Sequence, residues 1–438
     1  MKDLVPRKIK NIYHMSMAFL ANVFYGFPSK KLKVIGVTGT NGKTTTIMMI
    51  TKILEEGGLK VAMASTIRFK IGEKEWVNRT KFTTMSAWAI QKFFREAVDT
   101  GCEYMMLETS SHSLDQNRIW GINFRVGVVT NVTREHLDYH KSMERYREIK
   151  LKLFRKIKVA VVNLDMENPE QFLDCQADKK YGYTLKGINA RPEAQNFFPD
   201  VEIIPAEDIK FQIDGTSFKV GGTQINLHLA GGFNTENAMA AIAAGLSEGI
   251  DFSTMKKALE KIMLIPGRIE PVPNERSLNI IIDYAVTPDS LEKLYGLVKE
   301  IRDTKKGGRI ISIFGSCGER DRGKRPMMGK IVSTNADLVI VTNEDPYGEE
   351  PLRIISEISE GIQDRIEGKN FWKILDRRKA IKKALQLAES GDFVIVTGKG
   401  AEETMAIGKE RIPWNDKKVI QEVLQELESK QIPKFLQQ

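Results

Sequence analysis

Cysteine is scarce. The chain of 438 residues holds only Cys102, Cys175 and Cys317, far apart and odd in number. No C-x-x-C pair occurs, so neither a zinc site nor a disulfide framework is supported. A reducing cytoplasm is the expected setting. Long hydrophobic runs are also missing. Residues 12–27 are fairly apolar, but the run is short for a membrane span and contains His14, Ser16 and Asn22. It lacks a small-residue cleavage site, which argues against a signal peptide. The run is expected to form an amphipathic helix packed on the first domain rather than an interfacial membrane anchor. No RNA- or DNA-binding motif accompanies the net charge of +9, so nucleic acid is not an expected partner. That mild basic excess suits anionic substrates such as nucleotides.

What is present fits a globular protein of two or three domains, with 42% hydrophobic and 28% charged residues. Residues 33–46 read Lys-Val-Ile-Gly-Val-Thr-Gly-Thr-Asn-Gly-Lys-Thr-Thr-Thr. An apolar run enters a glycine-rich turn, and a helix-compatible run leaves it. Strand, loop and helix form the setting of a phosphate-binding loop. Glycines let the backbone approach phosphate oxygens, and N–H groups at a helix start point at the anion. Gly39, Thr40, Asn41, Gly42, Lys43, Thr44 and Thr45 are the expected ATP contacts. Lys43 would reach the β/γ-phosphates and Thr44 would offer its hydroxyl to Mg²⁺. The spacing is not the usual GxxxxGK[ST] form, because Val37 takes the first glycine position.

Residues 34–163 alternate apolar runs at 34–38, 61–65, 104–108, 125–131 and 159–163 with helical stretches. This is the βαβ pattern of a mostly parallel sheet. Ligands bind at the carboxyl ends of such strands, where Glu108, Thr130 and Asn131 fall. Over 180–229 a small antiparallel insert is expected. There Ile209, Phe211 and Ile213 alternate with polar residues before Asp214-Gly215. A helix is expected over 234–248, with Ser253 capping the next. Pro266-Gly267-Arg268 breaks the pattern. A second α/β alternation follows, with strands at 279–283, 309–314, 338–342 and 393–397 and a last helix near 416–429. The expected division is 1–32 as an N-terminal helical segment, 33–267 as an ATP-binding domain, and 268–438 as a Rossmann-like α/β domain.

Four patterns carry chemistry. The first is the loop GTNGKTTT. The second is Glu108-Thr109-Ser110-Ser111-His112-Ser113-Leu114-Asp115-Gln116. The third is Thr130-Asn131-Val132-Thr133-Arg134-Glu135-His136-Leu137-Asp138, followed by Tyr146-Arg147-Glu148-Ile149-Lys150. The fourth is Asp283-Tyr284-Ala285-Val286-Thr287-Pro288-Asp289, with Gly323-Lys324-Arg325-Pro326 beyond. Glu108 and His136 are hard and borderline ligands suited to Mg²⁺ beside phosphate. Together the patterns resemble the Mur ligases, most closely the MurE type, from residue 33 to the end. The loop string is also the form found in folylpolyglutamate synthetases.

The resemblance implies an ATP-dependent amide ligase of peptidoglycan precursor synthesis. It would add a free amino acid, a diamino acid, to UDP-N-acetylmuramoyl-L-Ala-D-Glu through an acyl phosphate. Lys43, Glu108, His136 and Lys150 would be catalytic. Two Mg²⁺ would be held by Thr44, Glu108, His136 and Lys150. Lys150 lies in a basic stretch, with eight Lys or Arg and two Glu over 141–158. As an ammonium it would repel Mg²⁺. In the family the matching lysine carries CO₂ as a carbamate (N6-carboxylysine), an anionic oxygen ligand. By the same resemblance Asn234 would lie near the adenine, and Arg268 and Asp283 would contact nucleotide phosphate and ribose. Thr83, Thr84, Ser110, Gln116 and Arg118 would grip the UDP-muramoyl-peptide. Arg320, Glu344, Asp345, Gly398 and Glu402 would line the amino-acid pocket.

The departures matter as much. Diaminopimelate-adding enzymes carry Asp-Asn-Pro-Arg where this chain has Glu344-Asp345-Pro346-Tyr347. An arginine forks onto a carboxylate; tyrosine cannot. Ala401 and Val286 each replace a usual His, and Phe82 stands where related enzymes often carry Asn. Lysine or another diamino acid therefore becomes plausible. MurE-type ligases also place a UDP-binding domain before the loop, whereas 32 residues precede Lys33 here. Uridine recognition would then be lost, reduced, or supplied by the helix of residues 8–27 or by a partner chain. Two alternatives stay open: a folylpolyglutamate-synthetase-like or other peptide-extending ligase, and a non-ligating nucleotide-binding regulatory protein.

Overall fold

The computed structural model describes residues 7–431 except 81, 188–198, 213–214 and 306. It is an α/β chain of two compact units. The first comprises residues up to Thr133 and His140–Met263; the second comprises Arg134–Tyr139 and the chain from Leu264.

The first unit is built on nine strands: β1 (Lys33–Thr38), β2 (Val61–Ala64), β3 (Arg68–Ile71), β4 (Lys74–Val77), β5 (Tyr104–Glu108), β6 (Phe124–Val129), β7 (Val159–Asn163), β8 (Lys179–Thr184) and β9 (Val201–Pro205). Their order is β4-β3-β2-β5-β1-β6-β7-β8-β9. From β2 to β9 every pairing is parallel. The central strands are buried on both faces, as continuous apolar runs in parallel sheets require. The helix Lys43–Glu56 leaves β1, and the helix Gly232–Ser247 packs against it.

Three expectations need correction. The sheet continues through β8 and β9, which pair parallel to β7 and to each other. The antiparallel insert is therefore only β10 (Glu207–Gln212), β11 (Gly215–Val220) and β12 (Thr223–Leu227). Tyr181 and Tyr183 explain the difference: both are buried in the core, so β8 is not a half-solvated hairpin strand. Ile213 and Asp214 lie outside the described residues. Next, β3 and β4 form an antiparallel edge hairpin that the sequence reading lacked. Finally, Ser253 lies inside the helix Phe252–Glu260, whose cap is Asp251. The Asp251 carboxylate accepts from the backbone N–H of Thr254 at 3.0 Å and from its hydroxyl at 2.7 Å, a stronger cap than a hydroxyl one residue inside the helix could give.

The N-terminal helix is Arg7–Phe24. Among the described residues no helix is long and apolar enough to cross a membrane.

The second unit has a six-stranded sheet of β13 (Glu270–Val272), β14 (Asn279–Asp283), β15 (Ile310–Phe314), β16 (Leu338–Thr342), β17 (Phe371–Ile374) and β18 (Phe393–Thr397), in the order β13-β14-β18-β15-β16-β17. Only the β13–β14 pairing is antiparallel. A hairpin of β19 (Thr404–Ile407) and β20 (Glu410–Pro413) precedes the last helix, Asp416–Gln431.

Candidate active site

The glycine loop sits where β1 gives way to its helix. Gly39 has φ 150° and Gly42 φ 84°. A Cβ on Gly39 would stand 1.9 Å from Thr130 Oγ1, and one on Gly42 2.2 Å from Asn237 Oδ1. Both positions thus exclude any side chain. Thr130 and Asn131, just past β6, hold the loop: Thr130 Oγ1 donates to the Asn41 carbonyl at 2.6 Å, and Asn131 Oδ1 accepts from Asn41 N at 2.9 Å. Thr40 donates its hydroxyl to the Thr133 carbonyl at 3.1 Å. The Lys43 ammonium donates to the carbonyls of Gly39 (3.1 Å) and Thr40 (2.8 Å). Gly42 starts the helix without a side-chain cap, as helix starts that receive phosphate do. Thr44 and Thr45 are buried in its first turn.

Glu108 ends β5, the parallel neighbour of β1, and is buried. Oε2 accepts from Thr44 Oγ1 at 3.0 Å and from Thr66 N at 2.7 Å; Oε1 accepts from Thr66 Oγ1 at 2.8 Å. A hydroxyl and a carboxylate one hydrogen bond apart at a phosphate loop fit Mg²⁺. That ion commonly takes one or two carboxylates and completes its shell with substrate oxygens and water. Among the described residues no group of three or more His, Cys, Asp or Glu could hold a metal alone.

Lys150 is also buried here. Its Nζ donates to the Gly39 carbonyl at 2.7 Å and lies 4.4 Å from the centre of the Tyr146 ring. Both contacts suit an ammonium. Asn234 is buried in the first turn of the helix Gly232–Ser247 and donates to the Ala230 carbonyl at 2.8 Å.

The acceptor-side residues gather beside Glu108. Thr84 Oγ1 donates to the Glu108 carbonyl at 2.8 Å and meets Ser110 Oγ at 3.2 Å. Arg118 Nη1 donates to the Thr84 carbonyl at 2.6 Å. Ser110 caps the short helix Ser111–Asp115, and Gln116 closes it. Thr83 is half-buried and Phe82 exposed.

The remaining predicted residues fall in the second unit. His136 has φ 57°, and its Nδ1 lies 3.9 Å from Glu135 Oε1. Glu135 in turn pairs with buried Lys324 at 2.9 Å. Arg268 stacks over the Tyr284 ring at 4.5 Å. Asp283 Oδ2 accepts from Ile269 N at 2.8 Å; burial raises its carboxyl while the Arg268 charge opposes. Arg320 lies over the Tyr347 ring at 5.3 Å. Asp345 and Glu402 share the buried Lys399 ammonium. Burial works against that charge, but the two carboxylates outweigh it and hold Lys399 above the ordinary lysine value. Glu344 accepts from the Cys317 thiol at 3.0 Å and faces Gly398. Burial, reinforced by Asp345, pushes its carboxyl up against the pulls of the Cys317 bond, Lys399 and Arg377.

Sequence reasoning missed Thr66, Asn237, Cys317 and Lys399 as neighbours of these groups. Thr66 lies two residues beyond β2, and Asn237 follows Asn234 by three on one helix face. The Asn237 offset was an available signal; Thr66 reaches Glu108 only through the β2–β5 pairing.

These placements can be set beside known proteins. The sequence model of the Mur ligase middle domain matches residues 37–245, and that of the Mur ligase glutamate ligase domain matches 267–400. A UDP-N-acetylmuramoyl-L-alanyl-D-glutamate--2,6-diaminopimelate ligase from Clostridium tetani is 38% identical, covering 97% of this chain and 84% of that protein. A UDP-N-acetylmuramyl-tripeptide synthetase from Roseiflexus is 36% identical, covering 94% and 82%. A solved structure of a diaminopimelate ligase of the first kind is 30% identical with a TM-score of 0.58, covering 91% of this chain and 79% of that one. E. coli FolC in complex with ADP shares the fold at a TM-score of 0.65 and 18% identity, covering 95% and 94%. With 38% identity across nearly the whole chain and both domain models matched in order, the chain belongs to the Mur ligase family.

Proposed function

We propose that this chain is an ATP-dependent, ADP-forming ligase. It joins one amine of a diamino acid to one of the free carboxylates of UDP-N-acetylmuramoyl-L-alanyl-D-glutamate in peptidoglycan precursor synthesis. The observation that carries this reading is the Thr44–Glu108 pair set against the glycine loop. The names of the relatives support the substrate class.

A carboxylate oxygen of the acceptor attacks the γ-phosphorus of ATP, and ADP leaves. The amine nitrogen then attacks the acyl phosphate carbon, phosphate leaves, and the amine loses a proton. Such catalysis is mainly positioning and charge neutralisation. The Lys43 ammonium would exchange its loop carbonyls for β/γ-phosphate oxygens. Mg²⁺, held by Thr44 and Glu108, would supply the further positive charge. For His136 as a metal ligand and Lys150 as a carbamate, the support is the sequence motif. Thr83, Thr84, Ser110, Gln116 and Arg118 would hold the acceptor; Asn234, Arg268 and Asp283 would hold the nucleotide. Residues 33–267 would thus bind ATP and acceptor. Residues 268–438 would bind the amine through Arg320, Glu344, Asp345, Gly398 and Glu402, with 1–32 an accessory helical segment.

Tyr347 favours lysine or another diamino acid over diaminopimelate, because it cannot form the paired hydrogen bonds that a second carboxylate invites. The test is an amino-acid panel with UDP-muramoyl-dipeptide, read by product mass. Product with L-lysine or ornithine supports the reading; failure with every diamino acid removes it. The loop string GTNGKTTT, a form also found in folylpolyglutamate synthetases, keeps a second reading open, a folate-extending ligase. Folate acceptors in the same panel separate the two. Phosphate release that needs neither acceptor nor amino acid would point to a non-ligating protein.

A further inference from the structure

One face of the helix Arg7–Phe24 packs on the protein. Ala18, Ala21 and Asn22 are buried. Asn22 Nδ2 donates to the carbonyls of Ala18 (2.8 Å) and Trp120 (3.0 Å), and Asn11 Nδ2 to that of Asp115 (2.9 Å). The helix is therefore firmly docked. Away from that seat Ile9, Ile12, Tyr13, Leu20, Val23 and Phe24 are each more than half exposed, Phe24 by 71%. Their spacing by three, four and seven places them in one stripe. Rings widen it: Phe24 lies 5.5 Å from Trp88, and Phe19 5.8 Å from Trp120. Exposed Ser16 interrupts the stripe, yet single exposed apolar residues are ordinary and six on one helix face are not.

Charge selects the occupant. From residue 4 to residue 32 the sequence has no acidic residue and five Lys or Arg. Lys30 and Lys31, just past the helix end, are exposed. A two-fold contact with a second copy would oppose one acid-free basic segment to another. An anionic surface meets no such repulsion, and an apolar stripe with basic flanks and aromatic rings suits a helix lying in a lipid interface. We propose that this helix seats the protein on an anionic bilayer, with the stripe at the acyl boundary and Lys30 and Lys31 among the headgroups.

The test is co-sedimentation of the full chain with phosphatidylglycerol-containing vesicles and with pure phosphatidylcholine vesicles. Binding is expected on the first, falling as salt rises, and little on the second at any salt. Phe24→Ser should weaken binding to the anionic vesicles about tenfold or more. The double change Lys30→Glu with Lys31→Glu should abolish the preference for anionic lipid. All three side chains are solvent-facing, so an unchanged thermal unfolding curve separates lost binding from lost fold. Equal or negligible sedimentation with the two vesicle types would overturn the proposal. So would Phe24→Ser binding as well as the parent, or a solution dimer that Phe24→Ser dissolves, which would assign the stripe to a second copy.

Discussion

The buried ammonium of Lys150 donates to the carbonyl oxygen of Gly39 at 2.7 Å, so the helix Met143–Leu151 braces the first glycine of the phosphate loop. A carbamate on Lys150 would keep one N–H, enough for that bond, while turning the group anionic. Lys150→Ala removes brace and charge together and should lower ligation at least about a hundredfold. Lys150→Arg keeps a cation but cannot take up CO₂. Bicarbonate should raise activity of the parent, and intact mass should show one added CO₂. Full activity in Lys150→Arg would end the carbamate proposal.

Glu108→Gln is the sharper test of the metal. The parent carboxylate accepts three hydrogen bonds, from Thr44 and Thr66. The amide keeps the shape but turns donors toward donors. Stability should fall by about 1–3 kcal/mol. Turnover should fall about 10²–10³-fold, and the Mg²⁺ concentration for half-maximal rate should rise. A rate loss without a shift in Mg²⁺ dependence would mean that Glu108 positions the loop only.

Gly42→Ala should separate folding from nucleotide binding. At φ 84° an L side chain is strained, and the new Cβ would stand 2.2 Å from Asn237 Oδ1. Asn237 also accepts from Thr46 at 3.3 Å, so it cannot swing away freely. The expected cost is about 1–3 kcal/mol, with ATP affinity falling further than stability. Calorimetry with an ATP analogue and urea unfolding measure the two.

The parts of this molecule that were legible in the sequence are those fixed by local pattern. β1, β5, β7, β14, β16 and β18 are apolar runs bounded by turns, and the period is visible. β8 was not, because Tyr181 and Tyr183 alternate with Gly182 as a half-solvated strand would, yet both rings are buried. β3 and β4 are short and rich in charge, so nothing in their composition announces an edge hairpin. At the site, the loop and Glu108 stand out through spacing. Thr66 does not, because only the β2–β5 pairing brings it to Glu108. Cys317 and Lys399 are neighbours of Glu344 and Asp345 only through the order of strands in the second sheet.

Glu344 should make stability depend on pH. Around it Arg377 pairs with Asp416 and Lys399 with Asp345 and Glu402. Glu344 has no cation of its own at bonding distance, and its buried Oε2 finds no hydrogen-bond partner among the described residues. Its folded carboxyl is raised by burial, so between the unfolded and folded values the native chain holds a proton that the unfolded chain has released. The stability it contributes is full below the unfolded carboxyl value and is lost as pH rises through the raised one. Glu344→Gln should flatten that decline and add about 1.4 kcal/mol above both values for each pKa unit removed. Urea unfolding across about pH 4 to 8 reads it. A parallel pH dependence in parent and variant would show that other groups set the slope.

The proposed choice of amine rests on Tyr347. It sits at φ 50° and is tied to the β19–β20 hairpin by two bonds: Tyr347 N donates to the Ala406 carbonyl at 3.3 Å, and Gly408 N donates to the Tyr347 carbonyl at 2.7 Å. The backbone is thus fixed, and a new side chain would leave from the same point. Arg320 lies 5.3 Å over the tyrosine ring. Tyr347→Arg would put a second guanidinium beside it, an arrangement that repels itself unless a carboxylate lies between. A substrate with a second carboxylate supplies that anion; lysine does not. The ratio of kcat/KM for meso-diaminopimelate over L-lysine should therefore rise by about 1–3 kcal/mol, or roughly tenfold to over a hundredfold. Most of the change should lie in the KM of the amino acid, with the ATP KM unaltered. If the ratio stays fixed while both rates fall, the ring of Tyr347 only supports the pocket, and selection of the amine must come from the carboxylates around Lys399.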